Sequence, residues 1–292
     1  MNLKKGDTIG IVATSGGFEI DRFNDGIKII EEMGYNVLIP PAVYEKEGYL
    51  AGSDSLRLKT LTEMFLNKDV KAIFCARGGY GAQRIIDKID FDLIYKNPKP
   101  FIGFSDVTSL LIAFHEKSKL KTYHGPVVTS LNLLERKNIE RIFSVLSLKK
   151  EDSYSIKSVD PFVINSGICE GELIGGNLCI LSHMIGTIYQ PNLNNKIMFI
   201  EDIGEPLYKI DRMLTHLHLS GLTNNIKGLI LGSFKNCGDM ENLYKLVEER
   251  FIGHNIPILA GMGFGHGNIN EIIPIGSYGK LQTDTGTLKI KL

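Results

Sequence analysis

The 292-residue chain has no surplus of charge, because its 33 Lys and Arg residues balance its 33 Asp and Glu residues. A neutral chain lacks the basic surface that attracts a phosphate backbone, which argues against nucleic acid as a partner. No apolar run approaches the roughly 18 residues that a membrane span requires, and the first residues lack the apolar core of a signal peptide. We therefore expect a cytoplasmic protein with no membrane partner.

Paired cysteines and metal-binding motifs are also missing. The four cysteines show no C-x-x-C spacing, so we interpret them as buried free thiols of a reducing compartment, with one disulfide as the alternative. The seven histidines are scattered and no H-E-x-x-H occurs, so we expect neither a metal ion nor a cofactor. Tryptophan is absent altogether.

What the first half does contain is an alternation of short apolar runs and amphipathic segments. Strand-like runs and helix-like segments follow one another in this order: 8–13, 20–33, 35–39, 55–66, 71–76 and 101–104. Such an alternation predicts an α/β domain with a parallel sheet that helices cover on both faces. In sheets of this kind ligands bind beyond the carboxyl ends of the strands.

The second half changes character after a polar stretch at residues 149–158. We place a domain boundary between about 150 and 168, which divides the chain into domains of residues 1–160 and 161–292. Strand-like runs, an amphipathic helix at 207–219 and a hairpin signal at Asp284-Thr-Gly286 follow. This pattern predicts a mixed β/α domain.

Ser105 stands where the strand-like run Phe101–Phe104 meets an apolar segment of helical length. At such a corner the hydroxyl would lie beside Asp106 and the free backbone N–H groups of a helix start, which favour a developing oxyanion. The simpler alternative is that Ser105 only caps the helix, a common role of serine.

Two glycine-rich segments stand out. Arg77-Gly-Gly-Tyr-Gly81 follows a strand-like run, and its glycines would let backbone amides approach a ligand, with a plain turn as the alternative. Gly261-Met-Gly-Phe-Gly-His-Gly267 is not a dinucleotide fingerprint, because His266 takes the place of the third glycine and extended chain follows. An imidazole between glycines suits a general base, although a lone turn histidine is the alternative.

Glu201 ends the apolar run Ile197–Ile200. A carboxylate there could orient a histidine and stabilise its imidazolium. The alternative is an acid at the surface, and Asp202 and Glu205 compete for the same role. Together Ser105, Glu201 and His266 give the constituents of a catalytic triad, which predicts a site in a cleft between the two domains.

Seven segments, in order over nearly the whole chain, resemble the signatures of the L,D-carboxypeptidases. They are Ala51–Asp54, Cys75–Gly81, Lys99–Thr108, Tyr123–Pro126, Gly171–Leu178, Phe199–Pro206 and Gly263–His266. This family of serine peptidases also contains the microcin C immunity peptidases. The resemblance implies a flavodoxin-like N-terminal domain, a C-terminal β/α domain of the swivelling type and a homodimer.

The resemblance also implies roles for individual residues. Ser105 would be the nucleophile, His266 the base and Glu201 the acid that orients it. The oxyanion donors would be the backbone N–H groups of the loop Gly78-Gly79 and of Asp106. The family reaction releases the terminal D-alanine of muropeptide tetrapeptides, a small peptide substrate, in the recycling of peptidoglycan in the cytoplasm.

Arg77 is our own addition to the site, since a guanidinium can hold a terminal carboxylate through two hydrogen bonds. Two other functions stay open. A microcin C immunity-like peptidase, which acts on aminoacyl-nucleotide peptides, implies a tryptophan stacked on the nucleobase, although Phe or Tyr could replace it; the lack of Trp favours the muropeptide. A non-catalytic binding protein of the same fold is the other alternative, and the intact Ser105, Glu201 and His266 argue against it.

Overall fold

The computed structural model describes residues 2–292, which divide into one unit that ends at Lys150 and a second that begins at Glu151. Each unit has its own sheet and its own set of helices. None of the helices in residues 2–292 is long and apolar enough to cross a bilayer.

The first unit alternates five strands with five helices. Strands β1–β5 are Thr8–Val12, Asn36–Leu38, Val70–Cys75, Phe101–Gly103 and Thr122–His124. Helices α1–α5 are Ile20–Glu32, Asp54–Leu66, Phe91–Lys96, Thr108–Ser118 and Arg136–Leu146. Short 3-10 helices occupy Pro41–Tyr44, Ala82–Arg84, Ile86–Lys88, Ser105–Val107 and Val128–Leu133.

These five strands run parallel in the order β2-β1-β3-β4-β5. This is the flavodoxin-like order. Strands β1, β3, β4 and β5 are buried along most of their length, as expected of a parallel sheet with both faces covered. The predicted parallel α/β fold is therefore confirmed.

Local signals in the sequence set the helix boundaries. Helix α1 buries Phe23, Ile27 and Ile30 on one face, and Gly34 follows it with a φ of +93°, a conformation that glycine adopts readily at a helix end. Helix α2 begins after Ser53, whose hydroxyl accepts a hydrogen bond from the backbone N–H of Leu56. That contact satisfies one of the free donors of the first turn.

The second unit contains nine strands and three helices. Strands β6–β14 are Ser153–Lys157, Phe162–Asn165, Ile168–Asn177, Ile197–Ile203, Gly228–Lys235, Ile258–Ala260, Ile273–Ile275, Tyr278–Gln282 and Thr287–Lys291. Helices α6–α8 are Leu178–Met184, Leu207–Leu219 and Met240–Phe251.

Eight of these strands form one mixed sheet in the order β6-β14-β13-β8-β9-β10-β11-β7. The central strands β8 to β11 are parallel, and antiparallel strands extend the sheet at both ends. The mixed β/α prediction is confirmed, as are helix α7 and the hairpin of β13 and β14. Strand β6 lies within the polar stretch 149–158, and neither β8 nor α8 was predicted.

All four cysteines are free. Cys75 and Cys237 are buried, whereas Cys169 and Cys179 are half-buried. Burial raises the pKa of the Cys75 thiol to about 12. It also raises the pKa of Cys179 to about 11, so both are protonated thiols at neutral pH and poor nucleophiles.

Candidate active site

The first unit places Ser105 at the corner between β4 and the 3-10 helix Ser105–Val107. Its φ is +60°, in the left-handed region that residues other than glycine rarely adopt. The N-cap position of this helix belongs to Phe104, and no side chain caps it, so the alternative that Ser105 is only an N-cap is wrong. A serine held in a strained turn between a strand and a helix is a known way to present a nucleophilic hydroxyl.

Gly78 lies directly against this serine. A Cβ atom on Gly78 would stand 2.9 Å from Ser105 Cβ and 3.2 Å from Ser105 Oγ. No side chain fits there, so the peptide backbone itself approaches the hydroxyl. The carbonyl of Gly78 accepts a hydrogen bond of 3.0 Å from the N–H of Gly16, which ties this loop to the loop that follows β1.

Asp106 directly follows the serine, and its side chain is buried. Oδ2 accepts a 2.8 Å hydrogen bond from the N–H of Ala82, and the carboxylate also accepts one from the Ser15 hydroxyl. Burial raises the pKa of Asp106 above its usual value, against the opposing effect of these hydrogen bonds. The carboxylate points into the protein, and the oxyanion role of the Asp106 N–H stays a prediction.

Arg77 is exposed and donates a hydrogen bond from Nη1 to the carbonyl of Gly17. Its guanidinium borders a cavity of about 430 Å³ that Lys46, Tyr49 and Tyr80 also line. Gly79 borders the same cavity with a φ of +103°. The predicted roles of Arg77 at a substrate carboxylate and of Gly79 as an oxyanion donor stay predictions.

The second unit brings Glu201 and His266 into direct contact. Glu201 Oε2 lies 2.6 Å from His266 Nδ1 and also accepts the backbone N–H of His266 at 3.2 Å. Glu201 is completely buried within β9, so the alternative of a surface acid is wrong. A neutral imidazole that donates from Nδ1 keeps Nε2 as its proton acceptor, which is the arrangement a general base needs.

The two competing acids have other partners. Asp202 accepts the N–H of Cys179 on Oδ2 at 2.9 Å and the N–H of Ile203 on Oδ1 at 2.8 Å. Glu205 pairs with Lys209 at 3.3 Å. Burial, reinforced by the charge of Glu201, raises the pKa of Asp202 to about 6.

Gly265, which the sequence placed in the glycine-rich segment beside His266, and two asparagines that were given no role complete the surroundings of the pair. A Cβ on Gly265 would lie 2.5 Å from Glu201 Oε2, and its φ is +91°. Its N–H donates to Oδ1 of the buried Asn270 at 3.0 Å. Glycine is thus required here both by space and by conformation.

Asn177 stands opposite Glu201 in the register of β8 and β9. Its Nδ2 donates to Asp202 Oδ1 at 3.0 Å and to Glu201 Oε1 at 3.4 Å. Its Oδ1 accepts the N–H of Ile180 and so caps α6. An asparagine between a strand and a helix could have been recognised as a cap, but its contact with Glu201 depends on strand pairing.

Among the residues that the structure describes, no three His, Cys, Asp or Glu side chains are grouped so that they could hold a metal ion. His216 Nδ1 lies 3.2 Å from the Ser182 hydroxyl. His183 Nδ1 lies 3.5 Å from the Cys179 sulfur. Both contacts join neighbouring side chains in pairs that are too small for a metal site.

The first unit thus holds a strained serine beside a glycine loop, and the second unit holds a buried carboxylate–imidazole pair. Comparison with known proteins identifies the family. Residues 9–125 match the LD-carboxypeptidase N-terminal domain, and residues 170–281 match the LD-carboxypeptidase C-terminal domain. The chain belongs to the LD-carboxypeptidase family.

Individual relatives match over almost the whole chain. A probable murein peptide carboxypeptidase of Bacillus subtilis (strain 168) is 35% identical over 99% of this chain and 93% of its own length. A murein tetrapeptide carboxypeptidase of Pseudomonas aeruginosa is 31% identical over 94% of this chain and 92% of its own. The crystal structure of an MccF-like protein from Bacillus anthracis str. Ames aligns with a TM-score of 0.91 at 27% identity, over 99% of this chain and 98% of that one.

Proposed function

We propose that this protein is a serine carboxypeptidase that releases the terminal D-alanine of muropeptide tetrapeptides by cleaving the L,D bond. The observation that carries the proposal is the 2.6 Å hydrogen bond between the buried Glu201 and His266, because a buried acid bonded to Nδ1 prepares the imidazole to act as a base. Membership of the LD-carboxypeptidase family and the names of two relatives, both carboxypeptidases of murein peptides, support it.

In the proposed reaction the Ser105 hydroxyl attacks the scissile carbonyl, and His266 Nε2 accepts its proton. The C–N bond then breaks, and the imidazolium gives this proton to the departing amine of D-alanine. Water hydrolyses the acyl-enzyme by the same route, with His266 again as the base. Glu201 keeps the imidazole in the required tautomer and stabilises the imidazolium.

The oxyanion of the tetrahedral intermediate would receive hydrogen bonds from backbone N–H groups of Gly78, Gly79 and Asp106. Each such donor lowers the barrier by on the order of 3 kcal/mol in related chemistry. The close approach of Gly78 to the Ser105 hydroxyl supports this assignment. The oxyanion forms on the carbon that the hydroxyl attacks, so its donors must lie close to that hydroxyl.

Arg77 would bind the terminal carboxylate of the substrate. Exposed Arg77 borders the cavity of about 430 Å³ that Gly79 also lines, and a carboxylate there would gain a charge-assisted hydrogen bond. A requirement for that carboxylate would restrict cleavage to the last peptide bond. A cytoplasmic location stays a prediction from the sequence, and a homodimer stays one from the family resemblance.

A second candidate is a peptidase for aminoacyl-nucleotide peptides. The rings of Tyr49 and Tyr80 are exposed at the same cavity with centroids 5.7 Å apart, and exposed tyrosines can stack on a nucleobase. The high TM-score to the MccF-like protein agrees with this reading. The chain has no Trp for the stacking role that the family resemblance implies, and we therefore prefer the muropeptide.

The test is to incubate the protein with a purified muropeptide tetrapeptide and, in parallel, with an aminoacyl-nucleotide peptide. We expect free D-alanine and the tripeptide from the first, detected by mass spectrometry, and no release by a Ser105→Ala variant whose circular dichroism matches the wild type. Cleavage of the second substrate alone would establish the alternative. Absence of turnover with both, at measurable binding, would identify a binding protein.

A further inference from the structure

Arg57 is a buried cation in the first unit, on helix α2. Only 2% of its surface is exposed. Its Nη1 donates to the carbonyls of Thr14 and Gly81, the latter at 2.9 Å, and its Nη2 donates to Asp54. With so little exposed surface, Arg57 is not placed to bind a substrate directly.

The two backbone carbonyls that accept hydrogen bonds from Arg57 lie in two different loops of the first unit. Thr14 follows β1, and Gly81 ends the glycine loop that follows β3. A Cβ on Gly81 would stand 2.9 Å from Arg57 Nη1, and the φ of Gly81 is +135°. The guanidinium therefore packs against the backbone of the glycine loop and ties it to the loop after β1.

Asp106 anchors the same loop from the other side. Its carboxylate accepts the N–H of Ala82, the residue after Gly81, at 2.8 Å. It also accepts a hydrogen bond from Ser15, the residue after Thr14. Because Asp106 directly follows Ser105, the nucleophile corner and both loops share one buried polar network.

We propose that Arg57 and Asp106 are positioning residues that hold the backbone N–H groups of the glycine loop at the distance from Ser105 that oxyanion stabilisation requires. The inference rests on the proposed function, since it concerns the rate of that reaction. A loop of three glycines has little conformational preference of its own, whereas oxyanion donors must be held within about 0.5 Å of their working position. Fixed anchors outside the loop are needed to meet that tolerance.

The energetics of buried charge support a positioning role. Burying a guanidinium is unfavourable unless its partners are well placed, and apolar side chains of similar volume often stabilise a fold as well or better. Two of the acceptors of Arg57 are backbone carbonyls of the loops. An apolar residue could fill the volume, but it could not hold Thr14 and Gly81 together.

The test compares wild type with Arg57→Lys and Ser15→Ala, and uses Arg84→Gln as the control. Arg84 shares Asp54 with Arg57 through an exposed guanidinium. Its contact with the Gly81 carbonyl is made by the backbone N–H at 3.1 Å, which the substitution keeps. Lysine keeps the charge of Arg57, yet one ammonium cannot reproduce the planar fork. Four quantities are measured: kcat and KM for D-alanine release, the rate at which a fluorophosphonate labels Ser105, and the rate of hydrogen exchange of the amides in residues 77–82.

We expect Arg57→Lys to lower kcat and the labelling rate by about 10- to 100-fold, to change KM by less than about threefold, and to accelerate exchange in residues 77–82. Ser15→Ala should change kcat, the labelling rate and the exchange rate in the same directions by smaller factors. Arg84→Gln should match the wild type in all of them, because exposed ion pairs contribute little.

A folded Arg57→Lys protein with wild-type labelling and exchange would overturn the inference, and so would slower turnover without faster exchange in residues 77–82. If Arg57→Lys does not fold, the labelling and exchange rates of Ser15→Ala decide whether the inference holds. A wild-type protein that releases no D-alanine would refute the proposed substrate, while labelling and exchange would still decide whether Arg57 and Asp106 hold the loop.

Discussion

The two units hold their candidate catalytic groups in place by different means. In the first unit the candidate groups belong largely to the main chain, with Ser105 at a φ of +60° and the backbone of Gly78 against it. In the second unit two side chains, Glu201 and His266, hold each other through a 2.6 Å hydrogen bond. A side-chain pair is fixed by burial and direct contact, whereas a glycine loop depends on anchors elsewhere in the fold.

The largest effect should come from breaking the side-chain pair. Glu201→Gln keeps the volume, but its amide N–H₂ group can donate to His266 and so favour the wrong tautomer. We expect kcat for D-alanine release to fall by about 10³- to 10⁴-fold with little change in KM. Steady-state kinetics checks this, alongside thermal unfolding to show that the variant is folded.

Glu205→Gln is the matched control for that experiment, because Glu205 lies four residues away and pairs with Lys209. Its turnover should stay within about threefold of wild type. If Glu205→Gln were the more damaging substitution, the assignment of Glu201 as the orienting acid would have to be abandoned.

Gly78→Ala tests the main-chain half of the site. The new methyl group would stand 2.9 Å from Ser105 Cβ, so the loop or the serine corner must shift. A displacement of about 1 Å at a reacting group can lower the rate roughly 100-fold, and we expect a loss of that size in kcat. Gly253→Ala, at an exposed glycine with open space around its Cα, should leave kcat unchanged.

The result with Gly78→Ala would also sharpen the contrast between the two units. A substitution that slows catalysis but leaves the melting temperature near that of wild type would show that the loop tolerates a shift that the reaction does not. A variant with full activity would indicate that the backbone of Gly78 does not bind the oxyanion.

Arg77→Lys should have a smaller effect that acts on binding. Lysine keeps the charge but loses the fork that can bind a carboxylate through two hydrogen bonds. We expect KM for the tetrapeptide to rise about tenfold and kcat to change by less than about threefold. Arg22→Lys, at an exposed position on α1, is the control, and an unchanged KM for Arg77→Lys would remove Arg77 from the site.

Much of this architecture could be predicted from local patterns. The bounds of α7 follow from the helical spacing of Ile210, Leu214 and Leu217, which are all buried. Strand β6 could not be predicted, because its partner β14 lies at the other end of the unit. A polar sequence becomes a strand there through pairing that no short window contains.

The site was predictable to a similar degree. The corner at Ser105 and the glycine loop could be located from strand and helix signals, yet the φ of +60° that excludes an N-cap is visible only in three dimensions. Arg57 carries no sequence signal of burial, since arginine is mostly exposed in proteins. The contact of Asn177 with Glu201 joins residues 24 apart in sequence and depends on strand pairing, whereas Asn270 contacts Gly265, only five residues away.

The last prediction concerns the stability of the second unit and not catalysis. Burial, with a further contribution from the charge of Glu201, raises the pKa of Asp202 from 3.8 to about 6. Between these values the folded state binds more protons than the unfolded state, so the contribution of Asp202 to the free energy of unfolding falls as the pH rises from about 4 to about 6. The fall is on the order of 3 kcal/mol in total and is complete above that range.

Asp202→Asn removes this titration. Urea unfolding at pH 4, 5, 6 and 7 should therefore show the variant gaining stability relative to wild type up to about pH 6 and a constant difference beyond it. Asp284→Asn, in the exposed turn between β13 and β14, is the control for the effect on stability of removing one negative charge. If the stability difference between Asp202→Asn and wild type were constant from pH 4 to 7, Asp202 would titrate as an ordinary acid. Water would then have access to the surroundings of the Glu201–His266 pair, although Glu201 is completely buried.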